Sequence, residues 1–513
     1  MTCYRRLAFL SSLGAIALAG CPGTPSADDA GHGTDAATPS HDDAGTDAFM
    51  PITSDAGTDA FVANDAFVAP DAFLEGDAGP APLPPITDPT PHLVPASAAG
   101  HDRLFDVVFA PDSSFYVVGV RAAGTDAATN DFETIVGHFD AAGDLDTSFG
   151  TDGWFVANLA IGLGGEVARG IGLQSDGRIV VAATIEHSAL GADPRDRDVA
   201  VIRLDTDGTL DTTFGTEGAV LLDLSDGEAA PPPATTYAAD GAWNLVIDDM
   251  DRIVIAVQVK RAGNTDTDFG IVRLRPGGAL DTTFAAAGLY QRDVGNVSAS
   301  VRAVVRLPDG RLVGSGYYTD ASSIVRPVLY ELDATGTAVS TFGTEGLYTE
   351  TVLMTQTEIY GFVHQDGSLV TIGYGHDGAL DDNDFVSIRV GADDGVRDLS
   401  YGAGGVFVLS GYDYGDNARD IALLPDGRTV SVGALRPSAM ESNAAIVVLT
   451  HDGAADTTYG TAGVMVADLA GGTVDHFWGV AVDPRGERMV AVGVGGTNPT
   501  TDDDALIYLA PVP

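Results

Sequence analysis

The chain has 513 residues, with 73 acids against 26 Lys and Arg and a formal net charge of −47. Such a surface repels a phosphate backbone, which excludes nucleic acid as a partner and suits a soluble protein in a salty or cation-rich exterior. Its two cysteines, Cys3 and Cys21, both lie in the first 21 residues, so no disulfide framework can brace the body of the protein.

Residues 1–20 carry Arg5 and Arg6 and then an apolar run from Leu7 to Leu18, too short to span a bilayer and of signal-peptide length. The run ends in Leu18-Ala19-Gly20-Cys21, which looks like a bacterial lipobox. Small residues at 19 and 20 would admit the peptidase, and the Cys21 thiol would take the lipid. The chain is therefore expected to be anchored in a membrane through lipidated Cys21. Pro22 does not resemble the inner-membrane retention signal, so the expected address is the cell envelope, at the outer membrane or cell surface.

Residues 21–95 shift to Ala, Asp, Thr, Pro and Gly without a Lys or Arg, and Asp-Ala-Phe recurs at Asp47, Asp59, Asp65 and Asp71. Low complexity and charge of one sign cannot bury enough surface to offset chain entropy, so a disordered tether is expected here.

From residue 96 to 513 the same four β signals recur. An alternating run (Arg169–Leu173, Arg302–Arg306, Arg419–Leu423) leads to an Asp-Gly turn at Asp176, Asp309, Asp366 or Asp426. Such turns close two-residue hairpins. A β-branched run follows (Arg178–Ala182), then a third strand (Val199–Leu204, Phe269–Leu274). Last comes the unit Leu210–Gly218, reading LDTTFGTEG, and a fourth strand, Ala219–Leu224. The unit recurs from Leu145, Leu280, Val339, Asp398 and Ala455, with aromatic anchors Phe149, Phe214, Phe284, Phe342, Tyr401 and Tyr459 spaced 58 to 70 residues apart. Self-similarity at a near-fixed period marks a repeat architecture, and no helical period persists.

The order Asp176–Ala182, Val199–Leu204, Asp207–Gly215 resembles the delta-60 repeat family of secreted and cell-surface bacterial proteins. The resemblance implies a β-propeller-like repeat domain and no particular reaction. The first three strands occur seven times, near Phe105, Arg169, Trp243, Arg302, Ile359, Arg419 and Trp478, but the fourth only six. The expectation is an all-β, seven-bladed β-propeller of four-stranded repeats about 60 residues long. The missing outer strand would come from the segment His92–Ala96, and the ring would be a monomer.

In such blades the Asp-Gly turns and the LDTTFG units share one face, and connections of variable length share the other, where binding usually resides. Aligned on the following turn, the innermost strands begin with Phe105, Arg169, Trp243, Arg302, Ile359, Arg419 and Trp478. Indole planes beside guanidinium forks suit a sugar or carboxylate ligand at the channel mouth. Acids opening third strands (Asp131, Asp198, Asp268, Asp384, Asp504), with Asp381, Asp382, Asp502 and Asp503, are oxygen donors of the kind Ca²⁺ takes. No EF-hand loop is present; Asp205, Asp207 and Asp211 come nearest, in the repeated turn. No HExxH, GxSxG or phosphate-loop pattern occurs, so no catalytic residue is assigned. The expected role is a non-catalytic binding or scaffold module for an extracellular protein or glycan. The competing reading is an extracytoplasmic hydrolase or lyase at the channel mouth, calcium-dependent in one version.

Overall fold

The computed structural model describes residues 82–97, 100–122, 132–159, 166–186, 197–225, 240–260, 267–294, 299–378, 383–412, 414–469, 474–498 and 502–513. Cys3, Cys21, the signal segment and the tether up to residue 81 lie outside them.

Among these residues there is no helix. The strands are β-branched and apolar on both faces, as in Ile253–Lys260, because each sheet is covered on both sides by its neighbours. Five sheets have four antiparallel strands, and a sixth has ten. The ten-stranded sheet is two four-stranded units joined through Gln356–Thr357, which pairs with both. The pairing is consistent with seven blades.

The expected two-residue hairpins are found at one of the four Asp-Gly turns. There Gln365 pairs with Ser368, and Asp366 and Gly367 both have positive φ. At Asp176-Gly177 the loop has three residues: Gln174 N bonds Arg178 O, and Gly177 N returns to Gln174 O. Asp309-Gly310 and Asp426-Gly427 do the same. A glycine at positive φ after a type I turn supplies the required twist.

The repeated motif is an interlock between units. Arg203 donates from Nε to Asp211 at 2.8 Å and from Nη1 to the carbonyl of Pro276 in the next unit at 2.7 Å. Its guanidinium lies 4.8 Å from the centre of the Phe214 ring. Arg273 repeats this with Asp281, Ala334 and Phe284, and Arg389 with Asp398, His451 and Tyr401. Asp211 also accepts from the Thr213 amide and hydroxyl, which is why Asp-x-Thr precedes the aromatic. The rings of Phe149, Phe214, Phe284 and Tyr401 then seat against a glycine of the next unit, Gly208, Gly278, Gly336 and Gly453. A Cβ at Gly208 or Gly453 would lie 2.9 Å from Phe149 or 2.5 Å from Tyr401, and both glycines have φ near +80°. The residue after the peg donates its amide across the same junction: Gly150 to Asp207, Gly215 to Gly277, Ala285 to Thr335, Gly343 to Asp394 and Gly402 to Asp452.

The same interlock closes the ring, from the other end of the chain. His92 and Leu93 pair with Ile507 and Leu506 as the outer strand of the last unit, where the sequence places it. The segment begins earlier, however. Thr87 donates to Ala142, which occupies the place of Asp207, so Ile86 is the seventh peg. Ten residues after Phe149, Phe214, Tyr401 and Tyr459, the amides of Leu159, Leu224, Gly411 and Leu469 bond a carboxylate that precedes the next inner strand. Ten residues after Ile86, Ala96 bonds Asp102. Residues from Pro84 onward therefore belong to the ring's seam, and the compositional boundary at residue 95 is not the structural one. The first and last units pack as one apolar cluster that includes Leu104, Val107, Val490 and Ile507, with Ile86, Val94 and Ala96 against it.

Candidate functional site

The innermost strand of nearly every unit carries a β-bulge. Pairing is regular up to Leu104, Ala168, Ala242, Val301, Ala418 and Phe477, then shifts register. The residues passed over begin with Phe105, Arg169, Trp243, Arg302, Arg419 and Trp478, the six candidate ligand residues. A bulge re-aims a side chain out of the pleat, so one sequence position is turned the same way in unit after unit.

Those side chains meet in a closed belt. The Arg169 guanidinium lies 5.9 Å from the Phe105 ring centre and 4.2 Å from that of Trp243. Arg302 lies 4.2 Å from Trp243 and 4.5 Å from Tyr360. Arg419 lies 4.7 Å from Tyr360 and 4.9 Å from Trp478. Trp478 returns to Phe105 edge-on at 5.6 Å. All are buried except Arg169, which is half-buried. Ile359, aligned with them by sequence, joins the core between neighbouring units, and Tyr360 takes the belt position. The hairpin loop that follows has two residues here, Asp366-Gly367, in place of three, which displaces an alignment made on the turn by one residue. Arg302 also donates to the Tyr360 hydroxyl at 3.0 Å, and Arg419 to His476 Nε2 at 3.3 Å. Burial beside Arg419 and Arg436 pushes the His476 pKa well below the usual imidazole value, so its ring is neutral and accepts that bond.

The residue after the belt position ties three junctions. Asp106 accepts the amide of Ile171 at 2.9 Å, Asn244 that of Val304 at 2.9 Å and Asp420 that of Val480 at 2.7 Å. Burial raises the Asp106 pKa to about 8.

A second ring of side chains lies toward the variable connections and was not anticipated from sequence. Asp102, Glu166, Asp240, Asp416 and Asp475 each stand three positions before a belt residue and bond the chain arriving from the previous outer strand. Burial raises Asp240 to about 7 and Asp416 and Asp475 to about 6. The signal was present: an acid three residues before the aligned position in five of seven repeats.

Of the acids considered for calcium, Asp198 comes together with Asp223 and Asp240, all three carboxylates lying within 4.8 Å of one another. This is the one such trio among the described residues. Asp268 accepts from Gln291, and Asp503 bonds Arg103 and His101. Asp384 opens its strand opposite Gly375, and Asp504 lies in its own opposite Gly495. Asp205 and Asp211 bind Arg178 and Arg203, and Asp207 binds Thr209, all within the repeated turn. Asp131, Asp381 and Asp382 fall outside the described residues, and no side-chain position is described for Asp502.

Both faces expose apolar side chains, and the turns of the repeated-turn face carry Met250, Leu280, Val396 and Leu399. Variable connections carry exposed Met354, Tyr412, Tyr414 and Met440, the last 83% accessible. Both strands beside the Tyr412–Tyr414 and Met440 loops are bonded to Asp416, through the amides of Gly411, Tyr412 and Arg436.

A family profile described as "Domain of unknown function (DUF5122) beta-propeller" matches residues 174–214 and 251–284, in each case from the first hairpin turn to the aromatic peg. This match supports a β-propeller-like repeat protein. Solved structures with a similar fold include a chain of the mitotic checkpoint complex, at 13% identity and TM-score 0.44, covering 86% of this chain and 99% of that one. A PL25 ulvan lyase matches at 10% identity and TM-score 0.44, covering 82% and 96%. The Trypanosoma rangeli sialidase in complex with the inhibitor DANA matches at 9% identity and TM-score 0.40, covering 80% and 55%. These are likenesses of fold alone. No curated protein matches the chain.

Proposed function

We propose that this chain is a delta-60 repeat lipoprotein, held in the cell envelope by lipidated Cys21, whose ring is a non-catalytic binding module for a protein or glycan. One observation carries the binding reading. Among the described residues the variable connections expose the rings of Tyr412 and Tyr414 beside Met354 and Met440, whereas the large apolar side chains exposed in the turns of the opposite face, Met250, Leu280, Val396 and Leu399, include no aromatic ring. Aromatic rings and thioethers offer adaptable contact area to sugar faces and apolar side chains. In this reading the belt of Phe105, Arg169, Trp243, Arg302, Arg419 and Trp478 is the floor beneath the binding face, and half-buried Arg169 is the member within a ligand's reach.

The test is a glycan and peptide array probed with the chain from residue 82, as wild type and as the triple variant Tyr412→Ala, Tyr414→Ala, Met440→Ala. The expected result is a ligand bound by the wild type and at least tenfold more weakly by the triple variant. Equal binding by both would remove this face as the site, and turnover of an arrayed glycan would favour the hydrolase or lyase reading.

A further inference from the structure

We propose that the strap Pro84–Ser97 is a tension-sensitive latch, which the pull of the N-terminal anchor releases ahead of the rest of the ring, freeing an edge strand. The source of tension in the cell rests on the lipoprotein reading above. The mechanics of the latch rest on the seam alone.

The first ground is the load path. Every residue before Pro84 is connected to the ring through the strap. At its start the strap meets the repeated-turn face: Arg488 donates to the carbonyls of both Pro84 and Ala141, and Thr87 bonds Ala142 and Asp144. It then crosses the rim as His92–Leu93, passes Val94 N to Ala505 O at 2.8 Å, and reaches Asp102 at the variable-loop side with Ala96 and Ser97. A pull at Pro84 is thus borne by the peg, the paired strand and the Asp102 bonds before any other strand is loaded.

The second ground is that the strap is a reduced copy of the interlock. Its peg is the half-buried, non-aromatic Ile86, where five other junctions seat a fully buried Phe149, Phe214, Phe284, Phe342 or Tyr401 and a sixth seats the half-buried ring of Tyr459. The Gly143 seat is correspondingly approached by Leu509. Its strand pairs through two residues, as does Leu347–Tyr348, whereas Phe407–Leu409 pairs through three and Trp154–Ala157, Ala219–Leu222, Leu289–Arg292 and Val464–Ala467 each through four. The belt is different here too. The contact across the seam, Phe105 on Trp478, is ring against ring, and every other step of the belt has a guanidinium over an aromatic face.

The third ground is what remains after release. Arg103 stays bonded to Asp503 at 2.8 Å, Ser113 to Asp483 at 2.8 Å, and the apolar contact of Leu104 and Val107 with Val490 and Ile507 is intact. The ring therefore keeps its circle while Asp502–Pro511 loses its outer neighbour. A freed strand edge recruits another strand through main-chain bonds.

Single-molecule pulling on the full chain tests this. One handle is the free Cys21 thiol of protein made without acylation, in a Cys3→Ser background, and the other is a cysteine at exposed Met250 (Met250→Cys). The expected trace has a low-force step before the main unfolding event. That step releases the Pro84–Gly100 segment, roughly 60 Å of contour at about 3.5 Å per residue. With handles at Pro111→Cys and Met250→Cys in a chain lacking both native cysteines, the strap is off the load path and the step is absent. Leu93→Asp halves the force of the early step, or more, and leaves the main event unchanged. Three outcomes overturn the latch: no early step through Cys21, the same step in the bypass geometry, or a Leu93→Asp effect on the main event instead. None of these outcomes depends on lipidation, so failure of the lipoprotein reading, scored by whether Cys21 is acylated, is read separately.

Discussion

The amide of Thr87 bonds the carbonyl of Ala142 at 2.9 Å, the bond that Gly150 makes to Asp207 and Gly402 to Asp452. The seventh copy of the repeat is thus cut between its third strand and its peg, and its two parts come from opposite ends of the chain. A chain beginning at residue 98 loses peg, strand and Asp102 bonds together. It should melt roughly 5–10 °C below one beginning at residue 82, measured by calorimetry under identical conditions. Equal melting temperatures would mean the seam is held elsewhere.

Arg273 is buried, bonded to Asp281 and to the carbonyl of Ala334, and stacked on Phe284. Arg273→Ala removes the buried bonds while Arg252 and Arg275 stay 3.9 and 3.7 Å from Asp281, and should cost about 1.5–3 kcal/mol in denaturant unfolding. Arg273→Lys keeps the charge but loses the planar fork, and should recover less than half of that.

The belt predicts coupling as well as stability. Trp243 lies against two guanidiniums, Arg169 and Arg302, each at 4.2 Å. A double-mutant cycle of Trp243→Leu with Arg302→Met should give an interaction energy of about 1–2 kcal/mol, the range for a desolvated cation over an indole. A value near zero would reduce the belt to a coincidence of packing.

The pH dependence has a definite sign. Burial raises Asp106 to about 8, Asp240 to about 7, and Asp416 and Asp475 to about 6. The folded chain therefore holds protons that the unfolded chain has released. The stability these groups contribute is complete below the unfolded value near 4 and drains away as pH rises to about 8. Asp398 behaves oppositely: bonds from Ser400 and then Arg389 lower it to about 2, so its contribution is lost only in stronger acid. The melting temperature should accordingly peak near pH 4–5 and fall toward pH 8. Asp106→Asn, which keeps an acceptor for the Ile171 amide, should flatten the upper part of that fall. An unchanged slope in this variant would show that Asp106 is ionised throughout.

Much of the fold was legible because a repeat states its rules several times. The Asp-x-Thr-aromatic unit was readable because its contacts have a fixed sequence offset, and the strand near His92 because the fourth strand was one copy short. The seventh peg was not. Ile86 shares no letter with Phe149 or Tyr401, and only the amide bond from Thr87 identifies its role. Among the candidate site residues, sequence alignment found six of the seven belt members. It missed Tyr360, where the hairpin loop used for the alignment is one residue shorter than in the other units.

What the sequence determined by itself is whatever recurs at short range: the strands, the places of the turns and the aromatic pegs, since local steric and hydrogen-bonding preferences act on neighbouring residues. The tertiary structure decided what those copies do to one another. Bulges turned Phe105, Arg169, Trp243, Arg302, Arg419 and Trp478 onto each other. The acids at 102, 166, 240, 416 and 475 became buried acceptors, and the segment from Pro84 became part of the last unit. The acids bond chain only 4 to 16 positions away, but the belt and the strand His92–Leu93 join residues from 58 (Arg302 and Tyr360) to 415 (His92 and Ile507, 507 − 92) positions apart, and only the packing of unit on unit brings those within reach.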